Sequence, residues 1–217
     1  MLRSHRGSYE VCCVQRGSAA STPKWEPGRA ILLAVMVGLT GSLLQVPGAS
    51  ASDTDLAARW TLDEGSGSTA EDVVGSSDGS MSGANWITTG AAVGAGALAM
   101  DGTGRVDVTD AEALKPAEVT LAAWVRGDPN SPPVAGEVIV EKGAFDCAGP
   151  EYGLYVTADG ISGRYRSAMG HDLVGGISSA TAKVDLWDGA WHLVALGIAN
   201  GDAAMVSIDA LAAVLPW

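Results

Sequence analysis

Three stretches decide the fold: Trp60-Thr-Leu-Asp-Glu-Gly-Ser-Gly-Ser-Thr69, Leu98-Ala-Met-Asp-Gly-Thr-Gly-Arg-Val-Asp-Val108 and Val119-Thr-Leu-Ala-Ala-Trp-Val-Arg126. Each is a short apolar run, and the first two run into or through Gly/Asp/Ser turns. In 56–62, apolar residues alternate with polar or small ones, which fits a half-buried strand with Leu56, Ala58, Trp60 and Leu62 on one face. Residues 119–126 are apolar at nearly every position, as in a strand covered on both faces inside a sandwich.

Working outward, 97–100 and 105–108 read as two short strands joined through Asp101-Gly-Thr-Gly104. Asp78-Gly79 is a hairpin signal, and 110–116 fits one helical turn capped by Asp110. Residues 127–136 form a loop, because Asp-Pro and Pro-Pro do not sit in a central strand. A strand at 138–141 follows. The runs 152–157 and 161–167 flank Ala158-Asp-Gly160, and 191–198 and 204–208 flank Asn200-Gly201-Asp202, which gives two hairpins. Strands this closely spaced, with no long helical period, predict an all-β antiparallel two-sheet β-sandwich over 52–217.

Residues 1–51 read differently. Arg29 precedes an uncharged run over 30–46, Pro47-Gly breaks it, and Ala49-Ser-Ala51 offers the small residues that signal peptidase prefers. The segment is predicted to be an n-region without regular structure followed by a secretory signal, cleaved after Ala51. A retained anchor competes, since 17 apolar residues approach the length that spans a bilayer. Secretion leaves Cys147 as the one cysteine of the mature chain, so it has no internal disulfide partner.

Charge divides the same way. Residues 1–51 carry five basic against two acidic side chains, a net of +3; residues 52–217 carry eight against 23, a net of −15. A domain this acidic repels a phosphate backbone, which argues against nucleic acid, and favours cations such as calcium.

In order along 56–210, these pieces resemble the laminin G-like, concanavalin A-like jelly-roll family: Trp60-x-Leu-Asp-Glu-Gly-Ser-Gly, Ala97-Leu-Ala-Met-Asp-Gly, Val119-Thr-Leu-Ala-Ala-Trp-Val, Lys142-Gly, Tyr152-Gly-Leu-Tyr155 and Trp187-Asp-Gly-Ala-Trp-His-Leu-Val-Ala195. The resemblance implies a concanavalin A-like sandwich of a kind that often binds sugars, proteins or calcium without catalysis. Two departures stand out. Ala210 replaces a turn glycine in Ser207-Ile-Asp-Ala210, and no segment resembles the family's final strand, which leaves 56–62 expected as an open edge.

No catalytic constellation emerges. Glu137 and Glu141 lie four apart on one strand, roughly 13 Å between Cα atoms, too far for a usual glycosidase pair. His192 sits in a strand pattern and His171 in a turn, and two histidines with one cysteine lack metal-binding spacing. The loop aspartates Asp72, Asp78 and Asp101 are candidate calcium ligands, because hard cations take carboxylates from Gly/Asp/Ser loops. Trp86, Tyr165 and Trp187 are candidate sugar platforms, whereas Trp60, Trp124 and Trp191 read as core. The expectation is a secreted, non-catalytic module that binds carbohydrate or a cell-surface protein and has no membrane contact after cleavage. The alternative is an accessory domain of, or fragment from, a larger secreted glycan-active enzyme.

Overall fold

The structure, a computed structural model, describes residues 2–3, 7–16, 56–116, 118–130, 134–143, 151–166, 172–178, 184–199, 203–209 and 211–214. Two antiparallel sheets account for most of them. The strands are β1 (Leu2–Arg3), β2 (Gly7–Arg16), β3 (Leu56–Ala58), β4 (Thr69–Ala70), β5 (Gly79–Ile87), β6 (Ala97–Val108), β7 (Val119–Gly127), β8 (Val138–Lys142), β9 (Glu151–Val156), β10 (Gly160–Arg166), β11 (Asp172–Ser178), β12 (His192–Ala199), β13 (Ala203–Ile208) and β14 (Leu211–Val214). The larger sheet runs β14-β13-β12-β7-β2-β6-β5-β4, with β1 on β6 and β3 on β2; the smaller runs β11-β10-β9-β8.

Period-two alternation builds the core between the sheets. On the larger sheet Leu121, Ala123 and Val125 of β7, Val194, Leu196 and Ile198 of β12, and Val206 and Ile208 of β13 are buried. They face Ile139, Leu154, Val156, Ile161 and Tyr165 of the smaller sheet within one cluster. Gly163 marks a close approach of the sheets: a Cβ there would stand 2.6 Å from Leu196 Cδ1 and 2.8 Å from Val206 Cγ2. A bulge between Val138 and Val140 breaks the alternation in β8, so both Ile139 and Val140 are buried. The Tyr152 hydroxyl, whose deprotonation burial opposes, donates to Leu114 O at 2.7 Å.

The two hairpins at β9–β10 and β12–β13 form as the turn signals predict, and β7 is central, between β12 and β2. Several local expectations are corrected. The strand over 56–62 ends at Ala58; Trp60 keeps one bridge, to Asp72, and Leu62 turns to φ 58°. The runs at 97–100 and 105–108 are one continuous strand. Asp78-Gly79 stands at the end of the 71–78 connection that joins β4 to β5 antiparallel, not at the centre of a tight turn. The helical turn is a 3-10 turn, Glu112–Leu114, whose N-cap is Ala111 without a side-chain bond. Asp110 instead contacts Lys115 at 2.7 Å and Lys142 at 3.2 Å, and both lysines hold its carboxyl below the usual range.

Of residues 1–55 the structure describes 2–3 and 7–16, and the signal-like run over 30–51 lies outside the described residues. Gly7–Arg16 is a strand between β7 and β6, and its end pairs with β3, which gives Leu56–Ala58 a strand neighbour on one side. At the other terminus, positive φ falls on Asp209, at 46°. Aspartate tolerates that region better than most residues, and Ala210 lies outside the described residues. Cys147 and His171 lie outside them too.

Candidate functional site

The loops after Trp60 are held by carboxylates. Asp63 Oδ1 accepts from Ala95 N at 2.5 Å and Gly96 N at 2.9 Å, which ties the first turn to the approach of β6. Asp72 is 7% exposed and accepts four backbone N–H groups: Arg59, Val74 and Gly75 at Oδ1 and Ser77 at Oδ2, all within 3.1 Å. Burial alone would raise its pKa, but the N–H donors from Gly75, Arg59, Ser77 and Val74 outweigh it and hold the carboxyl low. Asp78 Oδ1 accepts from Asp72 N at 2.9 Å. The Trp60 indole N–H, beneath this loop, donates to Ser77 O at 2.8 Å.

The structure therefore brings Asp72 and Asp78 together, with backbone donors on their oxygens. Asp101 belongs to β6 by its backbone, and its side chain lies outside the described residues. Among the described residues no group of three His, Cys, Asp or Glu side chains has a geometry for holding a metal ion.

The three aromatic candidates do not converge. Trp86 on β5 is half-buried and donates to Gly67 O at 2.9 Å. Trp187 is half-buried and lies against Gly127 at the end of β7. Tyr165 points into the core of the sandwich at 4% exposure, which leaves no ring face for a sugar. Of the tryptophans read as core, only Trp60 is there, at 5% exposure. Trp124 is half-buried on the opposite face of β7. Trp191 is half-buried as well: the Arg126 guanidinium stands 4.8 Å from its ring centre, and its indole donates to Gly90 O at 2.8 Å.

A concave surface lies elsewhere, on the outer face of the smaller sheet. It is a groove of about 360 Å³, lined by Tyr155, Ser162, Arg164 and Thr157, with Ala135 and Gly136 along one side. Three strands position these groups. Tyr155 of β9 pairs with Ser162 of β10, while Gly153 lies between Glu141 of β8 and Arg164 of β10. Glycine at 153 leaves room for the phenol ring, since a Cβ there would stand 2.8 Å from Tyr155 Oη. The ring thus reaches across β9, and its hydroxyl donates to Glu141 Oε2 at 3.4 Å. One wall is fixed by backbone bonds, Gly136 N to Val156 O and Val156 N to Glu137 O, both 2.8 Å. An aromatic ring beside a guanidinium and hydroxyls can stack on an apolar ligand face and hydrogen-bond its rim.

Sequence reading passes over this groove. Tyr155, Ser162 and Arg164 lie on two strands, and only their ladder register joins them. The sign available was Tyr155 and Arg164 at outward positions of one predicted hairpin. The chain matches no family model, no curated protein and no solved structure.

Proposed function

We propose that the domain is a non-catalytic binding module of a secreted protein and that it takes carbohydrate in the groove on its smaller sheet. The observation that carries this reading is the Tyr155 ring set over Gly153, with Arg164, Ser162 and Thr157 lining the same groove. Sugars present an apolar ring face and a hydroxyl rim, and these residue types suit both. The resemblance to laminin G-like sandwiches supports the same class. The acidic balance of 52–217 favours neutral over anionic glycans.

The test is a glycan array followed by titration calorimetry on the protein and its Tyr155→Ala and Arg164→Ala variants. Binding of a neutral oligosaccharide, lost at least tenfold in Tyr155→Ala with an unchanged melting temperature, supports the reading. Binding that survives both substitutions places the ligand elsewhere. An array without a hit removes carbohydrate and leaves an extracellular protein as the partner to seek.

A further inference from the structure

The larger sheet is closed by a strand that the reading of residues 1–51 as a leader would remove. β7 and β6 do not pair with each other, and Gly7–Arg16 fills the space between them. Along one side β2 pairs with the whole of β7, from Gly7 opposite Gly127 to Arg16 opposite Val119. Along the other it pairs with Met100, Ala99 and Leu98 of β6 and then with Ala58 and Leu56 of β3. Strands pair about 4.8 Å apart, so a space one strand wide sets β7 and β6 roughly 9–10 Å apart, too far to bond directly. Leu98, Met100, Leu121, Ala123 and Val125 on the bordering strands are buried. Unoccupied, this space would leave unpaired N–H and C=O groups of β7 and β6 at the middle of the core, a costly condition.

The pattern of the occupant matches its place. With one bulge between Val11 and Cys13, Tyr9, Val11 and Val14 hold the register positions opposite Val125, Ala123 and Leu121, the core-facing residues of β7. Ser8, Glu10 and Gln15 hold the alternate positions, opposite Arg126, Trp124 and Thr120, all half-buried. The segment has no proline, and 39 residues (17–55) separate it from β3, so sequence proximity does not impose its placement.

We propose that the space bordered by β7 on one side and by β6 and β3 on the other is a strand-acceptor site. Gly7–Arg16 occupies it in cis. When that segment is removed, the site takes an extended, proline-free peptide with alternating apolar residues, antiparallel to both neighbours. This is strand addition at the centre of a sheet, where ladder hydrogen bonds provide affinity and the core-facing positions provide selectivity. The inference does not depend on the carbohydrate reading, which concerns the other sheet.

The experiment uses the full chain, produced without export and carrying a protease site within 17–55. After folding it is nicked, and the two pieces are run together on size exclusion. A labelled synthetic Gly7–Arg16 peptide is then offered under reducing conditions, alongside the same peptide with Val11→Pro. The proposal expects the N-terminal piece to remain bound, the parent peptide to exchange saturably, and the proline peptide to bind at least tenfold less, because proline lacks the N–H and fits poorly in a central strand. Val11→Pro in the intact chain should also lower the melting temperature. Release of the N-terminal piece with an unchanged melt, equal binding of both peptides, or doubling of mass without peptide exchange would each overturn it. The last of these outcomes would mean that a second copy fills the site.

Discussion

His192 Nδ1 stands 2.7 Å from Asp209 Oδ2, and the same carboxylate accepts the backbone N–H of Leu193 at 2.8 Å through Oδ1. Asp209 N donates back to Leu193 O at 2.9 Å. One aspartate in the left-handed region thus clamps the first residues of β12 at the turn after β13. The other ring nitrogen, Nε2, lies 3.2 Å from Asp188 Oδ1. Asp188 is itself held low by the Ala190 N–H and by His192. With a carboxylate at each nitrogen, His192 is a tie between loops, not a free base.

That tie predicts a pH dependence with a definite sign. Burial at 7% exposure disfavours the imidazolium, but Asp209 and Asp188 outweigh it, and the folded pKa lies above the ordinary value of 6.5. A raised folded pKa means that the contribution is complete below pH 6.5 and fades as pH rises through the folded pKa. The melting temperature should therefore fall between pH 6 and 9 in the native protein and fall less in His192→Gln. Parallel profiles for the two proteins would show that the imidazolium contributes nothing.

Asp72→Asn should destabilise strongly. The variant keeps the shape but offers one acceptor oxygen to a site with four N–H donors, and each orphaned buried donor costs about 1–3 kcal/mol. Because the folded pKa of Asp72 is depressed, its contribution is present above the unfolded value of 3.8 and is lost as pH falls through the folded one. Denaturant melts at pH 7 and pH 3 should therefore separate the two proteins more at pH 7. With its oxygens bonded to backbone donors, Asp72 should behave identically in millimolar calcium and in chelator. A calcium-dependent melting shift that Asp72→Asn abolishes would instead make it a ligand.

Leu121 and Trp124, neighbours on β7, should answer oppositely to truncation. Leu121 is 1% exposed and faces the second sheet, so Leu121→Ala should cost about 2–5 kcal/mol in urea melts. Trp124 is half-buried on the other face, beside Leu193 in the ladder. Trp124→Ala should cost less than Leu121→Ala despite removing more atoms. The reverse order would mean that the outer face of the larger sheet is covered as thoroughly as the inner one.

These residues also show what the sequence could reveal. Strand positions and hairpins were legible wherever period two or a Gly/Asp turn was local, as in β9–β10 and β12–β13. Trp124 reads as core by its size and by the apolar average of 119–126, although period two groups it with Thr120 and Arg126 on the face away from the second sheet. Tyr165 is different: period two sets it with Ile161, opposite the polar Ser162, Arg164 and Arg166, so its inward face is legible in the sequence and a sugar-platform reading passes over it. Asp72 looked like a cation ligand because a carboxylate that gathers N–H donors and one that gathers a metal occur in the same Gly/Ser loops. β11, Asp172-Leu-Val-Gly-Gly-Ile-Ser178, carries two glycines and little alternation, so its strand is set by pairing with β10.

Gly163 provides the test of how the two sheets meet. It pairs with Leu154 on β9 and faces Leu196 and Val206 across the core, where an added methyl would come within 2.6 Å and 2.8 Å of their terminal carbons. Separations that short lie inside van der Waals contact, so Gly163→Ala must push a side chain off its rotamer or move the sheets apart, at about 1–3 kcal/mol. Leu196→Ala alone should cost about 2–5 kcal/mol through the cavity it opens. In the double variant the new methyl enters that cavity, so the combined loss should fall short of the sum by about 0.5–3 kcal/mol. Urea melts on the four proteins of this cycle measure the difference. Strict additivity would mean that residues 163 and 196 do not touch and that the sheets are joined elsewhere.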